Sequence, residues 1–218
     1  MNSIEVHNLT VAYNQLPVLW DVDFELPKGQ IIGIVGPNGS GKSTLLKAIM
    51  GLLPLSSGYV KVLDSSLEQM RSSIAYVPQR ETVDWNFPAS VKDVVEMGRY
   101  QPGKLFRKLS KLDKQLATEA IEKVKLTPFI NRQIGQLSGG QQQRVFIARA
   151  LAQGAEVYLM DEPFIGVDVA TEKAIMDLLQ AMRDEGKTII VVHHDLQSVT
   201  ANFDYLVMLN TRLVTHGP

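Results

Sequence analysis

The sequence predicts an α/β fold with a mainly parallel sheet at its core, an N-terminal antiparallel β segment and an inserted helical lobe. Short apolar stretches alternate with helical segments over most of the chain, which is the pattern of repeated β-α-β units. A glycine-rich loop follows one of these apolar stretches and opens a helix. The alternation stops between residues 80 and 136, where the chain is polar, partly helical and contains Pro88, Pro102 and Pro128.

The first strands are predicted from the alternation of apolar and polar residues, which indicates a strand with one buried face. The residues expected to face inward are Leu9, Val11, Tyr13, Trp20, Val22, Phe24 and Leu26. A turn is expected between the two segments, at residues 14–17. Ile31–Val35 is apolar apart from one glycine, which is typical of a strand buried on both faces. The helix after the glycine-rich loop is expected to end near Gly51.

The later elements follow from similar patterns. Further strands are predicted at residues 58–62, 74–77, 157–160, 188–192 and 205–209, with a helix at 113–125. Ile175, Leu178, Leu179 and Met182 are spaced as one face of another helix, which Gly186 is well placed to end. We therefore expect one domain over residues 1–218, in which 1–79 and 138–218 form the core and 80–137 form a helical subdomain.

The composition excludes several classes of protein. Of the 218 residues 45% are hydrophobic, and 22 Lys and Arg nearly balance 23 Asp and Glu, whereas nucleic-acid binders usually show a strong basic excess. Cysteine is absent, which rules out disulfides and thiolate chemistry. The N-terminus lacks the regions of a signal peptide, and no run of about 18 apolar residues predicts a membrane span. A continuation beyond Pro218 stays open.

Residues 36–44 read GPNGSGKST and match the phosphate-binding pattern G-x-x-x-x-G-K-[ST]. Glycines let consecutive backbone N–H groups turn toward phosphate oxygens, and the N-terminus of the next helix adds a favourable partial charge. Lys42 is expected to reach the β- and γ-phosphates, and the Ser43 hydroxyl to bind Mg²⁺. An ordinary glycine turn is the alternative, but it does not explain the flanking strand and helix. The predicted nucleotide-binding residues are Gly36, Pro37, Asn38, Gly39, Ser40, Gly41, Lys42, Ser43 and Thr44.

Polar residues follow two of the predicted buried strands. Because ligands of open α/β sheets bind at the carboxyl ends of the strands, Asp161 is expected to hold Mg²⁺ through water. Glu162 is expected to orient or deprotonate the attacking water, although two exposed acids in a loop are the alternative. His193 and His194 follow the next strand, and adjacent strand residues point to opposite faces. One of them is therefore expected to face the γ-phosphate and the other to be structural.

Residues 137–144 read LSGGQQQR and open a mostly apolar helix, although serine and glycine are poor helix formers. One interpretation is that Ser138 caps the helix and Gly139 and Gly140 form a tight turn. The other is that bare backbone must come very close to something at this point. The two interpretations do not exclude each other.

The ordered motifs at residues 36–44, 76–79 (YVPQ), 137–144, 161–162 and 194–195 resemble those of the nucleotide-binding subunits of ATP-binding cassette (ABC) transporters. The resemblance covers essentially the whole chain and implies a P-loop ATPase cassette that uses ATP and Mg²⁺. It further implies roles for four residues. Tyr13 would stack on adenine, Gln79 would contact Mg²⁺ or water and link the core to the helical lobe, His194 would hold the γ-phosphate and the catalytic carboxylate, and Asp168 would be the D-loop aspartate.

The resemblance also implies an ATP-dependent head-to-tail homodimer. In it Ser138, Gly139, Gly140 and Gln141 of one subunit meet the nucleotide held by the other subunit's glycine-rich loop. Such a trans-acting group contributes about 10³–10⁵ in rate in other P-loop proteins. The implied partners are integral membrane permease subunits and, indirectly, an extracytoplasmic metal-binding receptor protein, with no nucleic acid. The implied location is the cytoplasmic face of the cell membrane, as a peripheral subunit.

Three stretches resemble the manganese and zinc uptake branch of this family: DWNFP at 84–88, MGRY at 97–100 and EPFIGVD at 162–168. The implied function is ATP hydrolysis that powers uptake of one of these metals, with an iron chelate or another substrate as the alternative. Trp85, Phe87 and Pro88 form an apolar patch near the place where the permease docks in the family. Packing within the lobe is the other explanation of that patch.

Two other classes of protein fit less well. Soluble ABC ATPases that act on DNA or ribosomes usually carry coiled coils, zinc modules or two cassettes, and none is visible in this sequence. A P-loop kinase or GTPase would leave LSGGQQQR and Gln79 without a role, and no guanine-specifying Asn-Lys-x-Asp occurs.

Overall fold

The computed structural model describes residues 2–14, 16–100, 108–193 and 202–218. Within them the strands and α-helices follow in the order β1 (Asn2–Tyr13), β2 (Leu16–Pro27), β3 (Ile31–Val35), α1 (Lys42–Ile49), β4 (Ser57–Val62), β5 (Ser65–Ser66), α2 (Leu67–Met70), β6 (Ile74–Val77), α3 (Val91–Met97), α4 (Lys111–Lys123), α5 (Gly139–Gln153), β7 (Val157–Asp161), α6 (Val169–Asp184), β8 (Thr188–His193), β9 (Tyr205–Asn210) and β10 (Arg212–Gly217). No helix in these ranges is long and apolar enough to cross a bilayer.

The larger sheet has the strand order β10-β9-β3-β8-β7-β6, and all its neighbours are parallel except the β9–β10 pair. Its central strands are apolar because both faces are covered. In β8, Ile189 and Val191 pack into the hydrophobic cluster beneath α3 to α6, whereas Ile190 and Val192 pack into the cluster beneath α1 and the second sheet. The mainly parallel α/β fold predicted from the sequence is confirmed.

The second sheet has the order β2-β1-β4-β5 and is antiparallel, as predicted for the N-terminal segment. The prediction that Tyr13 and Trp20 face inward is wrong, because their side chains are 46% and 50% exposed. The β1–β2 register shifts several times along the pair, and Asp21 adopts a φ of 50°. This irregularity breaks the two-residue alternation, so Leu19 is buried in place of Trp20.

The region between residues 80 and 137 supplies α3 and α4, which both pack against α5. Both helices begin with a complete capping box, in which a serine and the aspartate three residues later exchange hydrogen bonds: Ser90 with Asp93 and Ser110 with Asp113. The helix predicted at 113–125 therefore begins two residues earlier, and it ends before Lys125, whose φ is 59°. The sequence patterns did not single out α3, α2, β5 or β10.

Helix α5 is approached very closely by the end of α3. Gly98 follows α3, and a Cβ placed on it would lie 2.2 Å from the carbonyl oxygen of Arg149. The next residue, Arg99, donates from its guanidinium to the Ala152 oxygen (2.6 Å) and to an Asp113 oxygen (3.2 Å). These contacts fix the C-terminal end of α5 against both helices of the inserted region.

We predict that Gly98→Ala lowers the free energy of unfolding by about 1–3 kcal/mol, because the added methyl group must push α3 away from α5. Urea denaturation with a tryptophan fluorescence readout measures this. Gly217→Ala is the matched control, since a Cβ there meets no atom within 4 Å among the described residues. Equal midpoints for the two variants would contradict the close approach.

Candidate nucleotide-binding and hydrolysis site

The glycine-rich loop at residues 36–44 connects the carboxyl end of β3 to α1, at the edge of the sheet where ligands of α/β proteins bind. Two of its glycines admit no side chain. A Cβ on Gly36 would lie 2.0 Å from the carbonyl oxygen of Leu209, and one on Gly41 would lie 2.5 Å from the Leu19 side chain. Gly41 also has a φ of 97° immediately before α1. The loop is therefore closely packed and leads directly into the N-terminus of α1.

Two buried donors belong to this loop, Ser40 and Lys42. The Lys42 ammonium donates to the carbonyl oxygens of Gly36 (2.8 Å) and Pro37 (2.9 Å), and burial lowers the pKa of Lys42. The Ser40 hydroxyl is buried and has no hydrogen-bond partner among the described residues. An unpartnered hydroxyl and an ammonium that donates to loop carbonyls are suited to phosphate oxygens.

Ser43 and Asp161 meet as the sequence led us to expect. The Ser43 hydroxyl donates to Asp161 Oδ1 over 3.0 Å, and Asp161 ends β7 with only 2% of its surface exposed. Burial raises the pKa of Asp161, although the hydrogen bond from Ser43 opposes the rise. A hydroxyl and a carboxylate side by side are hard oxygen ligands, which is the donor set that Mg²⁺ prefers.

Tyr76 is a neighbour of Asp161 that the sequence did not reveal. Burial raises the pKa of Tyr76 to about 12, with the Asp161 carboxylate adding to the rise. The phenol therefore stays protonated and serves as a donor to the carboxylate, which stabilises the charged form of Asp161.

Gln79 and Glu162 come from neighbouring parallel strands. The Gln79 amide donates to Glu162 Oε2 over 2.8 Å, just beyond the ends of β6 and β7. Glu162 has a φ of 52°, a left-handed conformation that is uncommon for residues with side chains. This backbone turns the chain sharply after β7 and points the carboxylate toward Gln79.

The stretch LSGGQQQR forms the start of α5. Ser138 Oγ accepts from Gln141 N (3.4 Å), and Ser138 N donates to Gln141 Oε1 (2.9 Å), so the predicted cap is a complete capping box. The tight turn predicted for Gly139 and Gly140 is wrong, because α5 begins at Gly139. Both glycines instead allow close packing: a Cβ would lie 3.0 Å from Arg80 at Gly139 and 3.0 Å from Thr171 at Gly140.

Asp168 caps the start of α6. Its carboxylate accepts from Thr171 N and Thr171 Oγ1, each at 2.9 Å, and these hydrogen bonds lower its pKa. The same Thr171 lies against Gly140. The start of α6, capped by Asp168, therefore packs against the first turn of α5.

The remaining predicted site residues lie at the margins of this edge. Tyr13 ends β1 with an exposed ring that is free to stack on a flat partner. His193 is buried at the end of β8, with its ring edge-on to Phe164 at 5.7 Å, which matches the structural member of the histidine pair. The prediction for His194 lies outside the described residues.

A groove opens between the core and the end of α3. Its cavity of about 470 Å³ is lined by Met50, Leu52, Arg71, Met97, Tyr100 and Arg149, among others. Leu52, Met97 and Tyr100 are exposed at its rim. In the patch predicted near residues 85–88, Trp85 packs edge-on to Phe146, whereas Phe87 is 55% exposed. Trp85 of this patch therefore packs within the lobe, whereas Phe87 lies at the surface.

The fold and the site together define a P-loop nucleotide hydrolase. The family model described as ABC transporter matches residues 19–165. The chain is 56% identical to the zinc transport system ATP-binding protein TroB of Treponema pallidum, over 99% of this chain and 81% of the relative. It is 51% identical to the manganese transport system ATP-binding protein MntB of Bacillus subtilis, over 100% of this chain and 87% of the relative.

Solved structures agree with these relatives. A nucleotide-free ATP-binding cassette from an ABC transporter superposes with a TM-score of 0.89 at 27% identity, covering 100% of this chain and 91% of that one. A dimeric bacterial ABC transporter cassette superposes with a TM-score of 0.84 at 30% identity, covering 98% and 97%. The chain belongs to the ABC transporter family, and it is an ATPase cassette of that family.

We predict that Asp161→Asn makes the nucleotide-free protein more stable to heat at neutral pH while lowering ATP hydrolysis about 10–100-fold. The folded state raises the pKa of Asp161, so the folded protein binds this proton more tightly than the unfolded chain does. The ionised carboxylate therefore destabilises the fold above its folded pKa, and this effect disappears as the pH falls below its unfolded pKa, about 3.9.

Thermal unfolding across a pH series measures the difference between variant and wild type, which should shrink toward acid pH. Asp168→Asn is the control, because the folded protein lowers the pKa of that exposed carboxylate. Removing its charge should therefore not stabilise the fold at any pH. Destabilisation by Asp161→Asn at every pH would show that this carboxylate carries no burial cost.

Proposed function

We propose that this chain is the ATP-hydrolysing subunit of an ABC transporter that powers uptake of manganese or zinc through a separate membrane permease. The observation that carries the proposal is the pair of contacts at the sheet edge, Ser43 with Asp161 and Gln79 with Glu162. They place two carboxylates beside the phosphate loop in a chain whose relatives are named for transport of these metals.

The residues around the loop bind and orient ATP. Backbone N–H groups of the loop and the Lys42 ammonium, which exchanges loop carbonyls for phosphate oxygens, hold the β- and γ-phosphates. The exposed Tyr13 ring stacks on adenine, and Asp168 and His194 complete the surroundings of the γ-phosphate. Ser43, Asp161 and Gln79 hold the Mg²⁺ of MgATP, which supplies charge neutralisation at the phosphates.

Glu162 activates the attacking water. Its carboxylate accepts from Gln79 at the carboxyl edge of the sheet, where it can act as general base toward a water beside the γ-phosphate. Gln79 therefore positions this carboxylate, and its side chain is also available to the metal or the water. The left-handed backbone at Glu162 keeps this carboxylate aimed into the site.

Hydrolysis requires two copies of the chain, arranged head to tail. Ser138, Gly139, Gly140 and Gln141 of one copy complete the site around the ATP of the other, and the start of α5 offers a capped helix N-terminus to the γ-phosphate. A dimeric cassette with a TM-score of 0.84 supports this arrangement. Binding closes the dimer, and hydrolysis opens it again.

The groove beside α3 is the docking site of the permease. Its rim is apolar and its floor carries arginines, so it suits an amphipathic segment of a membrane protein lying at the cytoplasmic face. The groove is bounded by α1 and β6 on one side and by the end of α3 on the other. We place the hinge between the core (1–79 and 138–218) and the helical subdomain (80–137) along this line. A metal-binding receptor protein outside the cell delivers the ion and does not touch this chain.

We predict that Glu162→Gln lowers the rate of ATP hydrolysis about 10²–10⁴-fold and accumulates an ATP-bound dimer, because binding proceeds without the general base. Wild-type activity should rise more steeply than linearly with protein concentration. Size-exclusion chromatography with MgATP and a phosphate-release assay measure both. Glu122→Gln, on the exposed face of α4, is the control. Linear activity with wild-type rates in Glu162→Gln would refute the dimer mechanism.

We predict that cells carrying Glu162→Gln at the native locus lose manganese or zinc when metals are scarce, relative to wild type, while the other metals stay unchanged. Elemental analysis for manganese, zinc and iron measures this. Leu52→Asp, at the groove rim, should give the same loss although the purified variant keeps its ATPase activity.

The outcomes separate the parts of the proposal. A fall in iron alone would favour a chelate transporter. If cellular metals are unchanged although purified Glu162→Gln has lost ATPase activity, the ATPase assignment stands and the metal assignment is refuted. That result would favour a non-transport ABC ATPase.

A further inference from the structure

Gln79 and Arg80 are adjacent in the chain but hold two different parts of the site. The Gln79 amide donates to Glu162, which serves the ATP bound by this chain's own loop. Arg80 Nε donates to Gln142 Oε1 over 2.9 Å, and Gln142 lies in the first turns of α5. One peptide bond therefore separates a contact to the chain's own ATP site from a contact to the helix that faces the partner's ATP.

Arg80 is anchored on α5 by its main chain as well as by its side chain. Its carbonyl oxygen accepts from the Trp85 indole over 3.0 Å, and the Trp85 ring packs edge-on against Phe146 of α5 at 5.4 Å. Gln142 is only 5% exposed, and its amide donates to Ile134 O over 3.2 Å. A movement of Arg80 is therefore passed to α5, because it is bonded to the buried Gln142 and, through Trp85, packed on Phe146.

The guanidinium also reaches the surface that the partner's nucleotide would meet. A Cβ on Gly139 would lie 3.0 Å from Arg80 Cζ, and one on Gly166 would lie 3.4 Å from Arg80 Nη1. The acceptor it contacts is the neutral amide of Gln142. A cation beside a helix N-terminus is unfavourable by itself, and an incoming phosphate relieves that repulsion.

We propose that Arg80 is a positioning residue that transmits occupancy of the chain's own ATP site to the start of α5, and so makes the two sites of the dimer hydrolyse ATP cooperatively. Nucleotide and its metal compete with Glu162 for the Gln79 side chain, a shift of Gln79 moves the adjoining Arg80, and the Arg80–Gln142 contact passes that shift to the first turn of α5. Coupling between binding sites is reciprocal, so nucleotide at the partner's site also affects Gln79. This inference rests on the proposed dimer.

The test compares Arg80→Ala with wild type in ATPase assays over a range of ATP concentrations, at protein concentrations where wild type forms dimers. We expect kcat to fall about tenfold. The Hill coefficient should fall from a wild-type value between 1 and 2 to about 1. Binding of ATP to the monomer, measured by fluorescence titration, should not change. Arg132→Ala, at an exposed arginine of the same region stacked on Phe129, is the matched control and should behave as wild type.

Gln142 provides a second route to the same contact. Gln142→Leu should lose cooperativity as Arg80→Ala does, and the double variant should be no worse than either single variant, because all three remove one interaction. Gln142→Glu keeps an acceptor for Arg80 and should keep the Hill coefficient. These readouts remain informative if Arg80→Ala folds poorly, and far-UV circular dichroism identifies that case.

The outcomes are distinguishable from a failure of the dimer itself. Cooperative hydrolysis in wild type that persists in both Arg80→Ala and Gln142→Leu would overturn the role of Arg80 and leave the dimer standing. A wild-type Hill coefficient of about 1 with no ATP-dependent dimer would overturn both the dimer and this inference. Loss of cooperativity in Arg132→Ala as well would show that the effect is not specific to Arg80, which overturns the inference.

Discussion

The site depends on the parallel pairing of four neighbouring strands, β3, β8, β7 and β6, whose carboxyl ends meet at one edge of the larger sheet. The register pairs Val35 with His193, Asp161 with Val192 and Met160 with Val77. Ser43 of the phosphate loop therefore lies within hydrogen-bond distance of Asp161, 118 residues away in sequence, and Gln79 lies within hydrogen-bond distance of Glu162, 83 residues away. Because both faces of these strands are buried, a slip of one strand would expose core residues, which fixes the register and with it the site.

Helix α5 connects this edge to the inserted region. It is held along β6 by hydrogen bonds from Gln153 to Ile74 O (2.6 Å) and from Arg149 to Tyr76 O (3.2 Å), and at its C-terminal end by Arg99. The strand that leads to Gln79 is thus bonded to the helix that begins at Ser138. A rigid connection of this kind is needed where one surface must respond to another, since packed elements shift together rather than deform.

Sequence patterns predicted the strands of the larger sheet except β10, because continuous apolar runs leave few alternatives. They also predicted the phosphate loop, because side chains at Gly36 and Gly41 would clash with neighbouring atoms. Periodicity failed at Trp20, where an irregular register and a left-handed Asp21 interrupt the alternation. Arg80 and Tyr76 carry no local signal at all. Their positions depend on contacts to α5 and to Asp161 that join distant parts of the chain, and only the folded structure brings these together.

The residues of the site are arranged for a ligand at some cost to the fold. Burial raises the pKa of Asp161 and lowers that of Lys42, so the charged form of each group is less stable in the protein than in water. Glu162 keeps a left-handed backbone, and the Ser40 hydroxyl has no partner among the described residues. The buried charges and the unpartnered hydroxyl are unfavourable alone, and phosphate oxygens would offset the cost at Lys42 and Ser40. Nucleotide binding should therefore stabilise this edge of the sheet. In the dimer that we propose, filling both phosphate loops therefore favours closure, because the buried charges are then compensated.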